Sequence, residues 1–337
     1  MTKVDVVGGS LSGLSAAISL KEVDHNIDVV VHEKYKEIGY NHEGRRCGEA
    51  YSLEGEWKRW KPIGKSIFNK ISTSETIVGE KKYILHRKPG TSYVLNRQEF
   101  INQLGKEAEK LDVKIQTDDK IKSIEYLDGD YIIDASGCPS SIKRELGFDR
   151  GMKGYTYQQT IEDCNYFVSS TVKIISTEDC SGYYWIFPRD PEKKEVNIGV
   201  GVIANASHNL KEMLEWFKEK QGISGKINYV TGGLIPAGIQ KPLKYKNILF
   251  VGDAGVGTFP LSGQGIYRAL LSGETAGKCI AMNHPEKYPK YMYQYFIKWD
   301  VIGKNALRVT KILNKVGEKA VLYFYHNFLD YWYMLQH

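Results

Sequence analysis

Val4-Asp5-Val6-Val7-Gly8-Gly9-Ser10-Leu11-Ser12-Gly13-Leu14 is the stretch around which the chain is organised. Val4 to Val7 read as a strand, Gly8 to Gly13 as a tight glycine turn, and Leu14-Ser15-Ala16-Ala17-Ile18-Ser19-Leu20 as a helix. Such a turn lets a pyrophosphate approach the backbone and sit on free N–H groups at a helix N-terminus, where the helix dipole favours negative charge. On the G-x-G-x-x-G template the outer glycines are Gly8 and Gly13, the middle position is Ser10, and Gly9 is an extra glycine. Val29-Val30-Val31-His32-Glu33 is a second apolar run ending in an acid. It falls about 20 residues on, where a carboxylate meets a ribose hydroxyl. Together these predict a β-α-β dinucleotide-binding unit.

Composition sets the frame. With 337 residues, 42% hydrophobic and 26% charged, the chain is long enough for a large core and two domains. No run of 18 or more apolar residues occurs, and Met1-Thr2-Lys3 leads into a strand, so the expectation is a cytoplasmic protein with neither membrane span nor signal peptide. The five cysteines, Cys47, Cys138, Cys164, Cys180 and Cys279, are odd in number and show no C-x-x-C, which argues against a disulfide framework or a metal site. A net charge of +6 is modest, and no feature points to nucleic acid.

Further along, Arg45-Arg46-Cys47-Gly48-Glu49 sets two arginines beside a cysteine, which favours the thiolate if they lie close in space. A small buried residue beside solvated arginines is the other reading. Ile67 to Leu85 alternate as strands broken by the Gly79-Glu80-Lys81-Lys82 turn, and Gln98 to Leu111 form an amphipathic helix. Arg97 stands at that helix's start, a place for a cation only where an anion meets it. Val113-Lys114-Ile115 and Ile121 to Tyr126 read as strands, and Tyr131-Ile132-Ile133-Asp134-Ala135-Ser136-Gly137 closes a strand on a second tight turn. Asn165 to Ile175, Gly182 to Pro188 and Val196 to Val202 follow as strands of an antiparallel sheet that covers a ligand. Tyr183, Trp185 and Phe187 alternate onto one face of it, a surface suited to a long apolar ligand. Asn247 to Val251 is a buried strand ending on Gly252-Asp253-Ala254-Gly255, and Pro260-Leu261-Ser262-Gly263-Gln264-Gly265-Ile266 leads into a helix. Asp253 is placed to accept from a ribose or ribitol hydroxyl.

The three ordered stretches resemble the flavoprotein hydroxylase group: Gly8 to Gly13 its dinucleotide motif, Asp134-Ala135-Ser136-Gly137 with Ser140 and Arg144 its second, and Gly252-Asp253-Ala254 with Pro260 and Gly265 its third. Within that group the chain is similar to the geranylgeranyl reductases over about residues 1 to 280: Cys47-Gly48-Glu49, Tyr183-x-Trp185-x-Phe187-Pro188, Asn197-Ile198-Gly199-Val200-Gly201 and Gly232-Gly233-Leu234-Ile235-Pro236 look like family segments. Ser10 in the first motif and a short aromatic tail depart from the pattern.

The resemblance implies FAD, held by Gly8, Ser10, Gly13, Glu33, Arg46, Arg97, Gly137, Gly252, Asp253, Pro260, Gly263, Gly265 and Ile266. It implies an isoprenoid substrate against Tyr183, Trp185, Phe187, Gly199 and Gly201, and proton supply from Cys47 or Glu49. The expected fold is α/β: a Rossmann-like FAD domain (1–66, 91–154, 246–285), an antiparallel-sheet substrate domain (67–90, 155–245) and a helical tail (286–337). The expected reaction is saturation of isoprenoid double bonds by hydride transfer from reduced flavin; a flavin monooxygenase or halogenase, and a non-catalytic prenyl-binding protein, are the alternatives. The electron donor, NADPH, ferredoxin or another, has no second nucleotide motif to identify it. From Val301 to Val321, Lys304, Arg308, Lys311, Lys315 and Lys319 lie opposite Ile302, Ala306, Val309 and Leu313, predicting one basic amphipathic helix. With Tyr331, Trp332 and Tyr333 beyond it, this tail is expected either to meet a membrane surface or to pack on the body.

Overall fold

The structure, a computed structural model, describes residues 1–39, 48–53, 59–203 and 209–334. Uninterrupted valine and isoleucine runs suit strands buried on both faces, and here they form a mainly parallel sheet. Its strands are β1 (Lys3–Val7), β2 (Asp28–His32), β8 (Lys114–Gln116), β9 (Tyr131–Asp134), β15 (Lys244–Tyr245) and β16 (Ile248–Phe250), in the order β15-β16-β9-β1-β2-β8. Only β15 runs antiparallel. Helix α1 (Leu11–Val23) leads from β1 to β2, while β9 lies on β1's other side. Strand order therefore reverses at β1, and the carboxyl ends of β1 and β9 flank the crevice where such folds bind nucleotides.

The remaining helices are α2 (Arg97–Lys110), α3 (Ser141–Glu145), α4 (Leu210–Gln221), α5 (Gly252–Gly255), α6 (Ile266–Ala281), α7 (Tyr288–Leu313) and α8 (Glu318–Met334). Helix α6 crosses α1 at backbone distance: a Cβ at Gly273 would lie 2.1 Å from the Ser12 carbonyl oxygen. This packing carries the third motif's helix onto the first motif's.

A second sheet holds β14 (Lys226–Pro236), β10 (Lys153–Glu162), β13 (Glu195–Ile203), β12 (Gly182–Asp190), β11 (Thr171–Ser176), β5 (Thr73–Val78) and β6 (Lys81–His86), in that order. Period-two alternation sorts its faces. Tyr184, Ile186, Ile198 and Val200 pack against Leu214 and Phe217 of α4, with Tyr184 stacked on Phe217 at 4.2 Å. Tyr183, Trp185 and Phe187 thereby take the other face. A small sheet, β3 (Ala50–Ser52), β7 (Ser92–Leu95) and β4 (Ile67–Lys70), lies between. The sequence expectation grouped 67–90 with the larger sheet; β4 pairs instead with β7.

Three local expectations change. Ile121 to Tyr126 forms no strand: Ser123 caps a 3-10 turn at Ile124–Tyr126, and Ile121, Ile124 and Leu127 pack on Ile132 and Phe250. Asn165 begins a loop, its side chain bonded to the Gly222 carbonyl and the Ser224 N–H, and the strand starts only at Thr171. The tail helix breaks between Leu313 and Glu318, where Gly317 takes φ +139°. Its buried stripe in α7 includes Phe296, Asp300, Gly303, Ala306 and Thr310, because Asp300 is the counter-ion of the fully buried Arg268 (2.7 Å). The tail packs on the body through this stripe.

Beside the nucleotide crevice, His32 bridges Asp5 (3.1 Å) and Asp119 (2.7 Å). Burial pushes the imidazole down, but these two carboxylates outweigh it and hold the folded pKa above the ordinary value. The bridge therefore stabilises fully below the unfolded histidine pKa, about 6.5, and its contribution is lost as pH rises through the raised folded value. Asp5 is opposite in sign: burial pushes it up, the His32 and Gly129 hydrogen bonds bring it below its usual range, and its contribution is lost in acid. His32→Gln is expected to cost about 1–2 kcal/mol in urea unfolding near pH 6. The gap should shrink by pH 9; an equal gap at both would deny the bridge its charge.

Candidate active site

The glycine turn is shaped by backbone contact. Gly8 takes φ +111°, and a Cβ on Gly13 would sit 1.9 Å from the Gly8 carbonyl oxygen. Strand and helix meet with no side chain between them. Glu33, buried at the end of β2, accepts from the Gly9 N–H (2.8 Å) and the Tyr35 N–H (3.0 Å), so the acid also clamps the loop. Ser10 stands at the N-cap of α1, yet its side chain makes no capping bond. Asn96, Ser140 and Asn209 do cap α2, α3 and α4. Gly265 before α6 cannot. The two helices that cross in the crevice thus both start with N–H groups that no capping side chain occupies.

Asp134 ends β9 fully buried and accepts from Ser136 N–H (3.0 Å), the Ser136 hydroxyl (2.6 Å) and Ser140; it holds the second turn rather than reaching for a ligand. Gly137, at φ +91°, has open space where a Cβ would stand. The Asp253 carboxylate has no hydrogen-bond donor among the described residues. Burial pushes it up, and Arg97 and Arg268 partly offset the shift. Arg97 thus acts on the third motif from the start of α2. Two uncapped helix starts and a turn stripped of side chains offer N–H donors for a pyrophosphate, and the Asp253 carboxylate offers an acceptor for a sugar or ribitol hydroxyl, the pairing a dinucleotide needs. The crevice fits FAD.

The third motif's loop joins this crevice to the second sheet. Tyr183 O–H donates to the Ser262 carbonyl (2.6 Å), and a Cβ on Gly263 would lie 2.7 Å from the Tyr183 oxygen. Across the sheet face, side chains fall in rows set by register. One row is Ser176, Tyr183, Gly201 and Thr156; the next is Ile174, Trp185, Gly199 and Gln158; the third pairs Phe187 with Asn197 and Thr160. Trp185 lies flat over Gly199, where a Cβ would be 2.1 Å from its Cζ2, and its Nε1–H donates to Gln158 Oε1 (3.0 Å). The Tyr183, Trp185 and Phe187 rings follow one another at 6.0 and 6.4 Å. Large rings on one strand and glycines on the next hollow out a groove. At the Tyr183–Gly201 row it opens into a cavity of about 900 Å³, counting the space open to solvent, covered by α7 and α8, whose lining runs from Ile235 on β14 to Val78 on β5; Trp185, Phe187 and Gly199 lie outside that lining.

Cys47 and Arg46 lie outside the described residues. Gly48 does not: its Cβ position is 2.8 Å from the Phe187 ring. Glu49 is buried at φ +62°, its carboxylate accepting from Arg189 Nε (2.6 Å) and Asn197 Nδ2 (3.2 Å). Arg189 also pairs with Glu195 and lies over the Phe68 ring. Sequence reading missed this network, because Glu49 and Arg189 are 140 residues apart. It also missed Arg268, Gln158 and the lining role of α8. Of these, only Gln158 left a signal, a polar residue on the inward face of a strand.

A family model, the geranylgeranyl reductase catalytic domain, matches residues 154–234, which hold the groove's central strands. The digeranylgeranylglycerophospholipid reductase of Methanocella arvoryzae is 27% identical over 312 residues, 81% of this chain and 75% of that protein. That of Methanothrix thermoacetophila is 26% identical, over 90% of this chain and 85% of its own length. Among solved structures, a geranylgeranyl bacteriochlorophyll reductase-like protein from Thermoplasma acidophilum superposes with TM-score 0.77 at 22% identity, covering 95% of this chain and 91% of that one. CtdE, solved in complex with FAD, gives 0.69 at 15% identity, with 95% and 92% covered. With a crevice fitted to FAD and a long apolar groove at its edge, the chain is an FAD-dependent oxidoreductase similar to the geranylgeranyl reductase family.

Proposed function

We propose that the protein saturates the double bonds of geranylgeranyl chains carried on a glycerophospholipid. The observation that supports this most is the cavity: its lining crosses six adjacent strands, β14 to β5. Five strand spacings of about 4.8 Å make roughly 24 Å, a span for a prenyl chain laid across the sheet. The curated relatives named above support the headgroup class.

FAD, when bound, supplies the hydride that adds to one alkene carbon. The chain's own residues do the rest. Tyr183, Ile174 and Leu307, which line the cavity, exclude water from the alkene and hold it in place, and Trp185 supports Tyr183 from the next row. The proton for the second carbon comes, in this reading, from Cys47, two residues before the anchored Glu49. Glu49 itself, ion-paired with Arg189, serves to fix that segment. Tyr183, its hydroxyl pushed well up by burial, stays protonated and keeps the groove in register with the Ser262–Gly263 loop.

Such a substrate brings the enzyme to a bilayer. No described helix is long and apolar enough to cross one. Tyr291, Tyr295 and Trp299, a turn apart on α7 and 37–50% exposed, are the side chains we assign to the interface. Replacing all three by serine should at least halve flotation with anionic liposomes, and unchanged flotation would remove α7 from the interface. The function itself is tested by reducing the holoenzyme anaerobically with dithionite, removing excess reductant, and adding the phospholipid. Reoxidation of the flavin spectrum without oxygen is expected; reoxidation by oxygen alone would support a monooxygenase.

A further inference from the structure

The cavity does not end where it meets the flavin-side loop. Tyr183 marks that meeting point. Beyond it the cavity continues under β11 and β5 and is closed by Val78, Cys180 and three residues of α8: Tyr325, Phe328 and Leu329. Two strand spacings separate Tyr183 from the wall, about 10 Å. That arm has room for between one and two isoprene units of four skeletal bonds, at about 1.5 Å per bond.

Helix α8 is built as a fixed wall. Val321 is fully buried with Val78 and Cys180, and Leu322 lies against the turn at Gly79, 3.1 Å from its Cβ position. Lys81 pairs with Asp330 (2.6 Å). Tyr83 O–H donates to the His326 carbonyl (3.2 Å), and His326 Nε2 donates to the Val78 carbonyl (2.9 Å). Inside, the Tyr325 hydroxyl lies 3.1 Å from that of Thr310, tying α8 to α7. Each bond saturated takes one hydride and one proton and leaves the flavin needing two electrons, which dithionite supplies in the test below. Because the hydride donor is fixed, a chain with several double bonds has to slide by an isoprene unit between turnovers.

We propose that α8 is the gauge of this slide: Tyr325, Phe328 and Leu329 set how far a prenyl chain advances past Tyr183, and so which of its double bonds are reduced. The proposal rests on the reading of the cavity as the prenyl site. Two variants on this surface helix change the arm in opposite senses. Leu329→Trp shortens it and Phe328→Ala lengthens it; retained flavin absorbance reports that each has folded, and if one loses flavin the other still decides. Under dithionite, the geranylgeranyl phospholipid is expected to leave Leu329→Trp lacking at least one two-hydrogen step of the wild-type product. In native mass spectrometry against farnesyl, geranylgeranyl and geranylfarnesyl lipids, Phe328→Ala should shift the best-bound chain up by one isoprene unit. Unchanged product and unchanged length preference in folded variants would overturn the gauge alone. A wild-type protein that adds no hydrogen to any prenyl lipid would overturn the functional reading, and the gauge with it.

Discussion

Gly199→Ala is expected to keep its flavin and lose at least about a hundredfold in prenyl reduction, the scale on which a 1 Å misplacement at a reacting centre is felt. The added methyl would lie 2.1 Å from Cζ2 and 2.5 Å from Cε2 of Trp185. The indole has nowhere to go without breaking its bond to Gln158 and disturbing the rings on either side. Overpacking of this kind costs about 1–3 kcal/mol, and the lost hydrogen bond about 1 more. A thermal melt and turnover of the dithionite-reduced enzyme check both parts. Gly199→Ala combined with Trp185→Leu should recover stability but not rate, because the clash is relieved while the ring that backs Tyr183 in the cavity wall is gone. Full activity of Gly199→Ala would mean that Trp185 does not lie over this strand.

Gly13→Ala acts at the other end of the same machinery. Its methyl would meet the Gly8 carbonyl oxygen at 1.9 Å, a backbone atom, so relief requires α1 itself to move. Helix α1 is also held from behind, since α6 touches it through Gly273 and Gly277. The uncapped start of α1 is then displaced from the phosphates, and FAD binding should weaken at least about a hundredfold, or 2.7 kcal/mol. The expected result is a protein purified without the yellow chromophore. Comparing the melting temperatures of the apoproteins separates lost cofactor binding from lost stability; equal flavin content in variant and wild type would place the pyrophosphate elsewhere.

How far these sites could be read from the chain depends on the range of the forces that make them. The glycine turn at Gly8 to Gly13, the Asp134 turn and the Gly252-Asp253 loop are local: strand, tight turn and helix lie within about a dozen residues, and their chemistry is written in that order. Alternation likewise puts Tyr183, Trp185 and Phe187 on one face whatever they pack against. Which strand lies beside them is a tertiary matter. That Gly199 falls under Trp185, and Gln158 beyond it, depends on the register of β10, β13 and β12. Glu49 offered itself as an acid because its partner Arg189 was out of sight. The tail shows the opposite failure. Its helical periodicity runs on through Asn314 to Gly317, so the break was invisible, and the presence of Asp300 on the buried stripe follows only from Arg268.

The central claim is that a hydride donor held by Gly8 to Gly13, Asp253 and the Pro260–Gly265 loop faces a prenyl chain lying in the cavity beside Tyr183 and Gly201. The most direct measurement is mass spectrometry of a geranylgeranyl phospholipid after anaerobic incubation with the dithionite-reduced holoenzyme. Gains in steps of two hydrogens, absent with Gly199→Ala, are the predicted result. A lipid unchanged in mass, or one that gains oxygen when air is admitted, would contradict it.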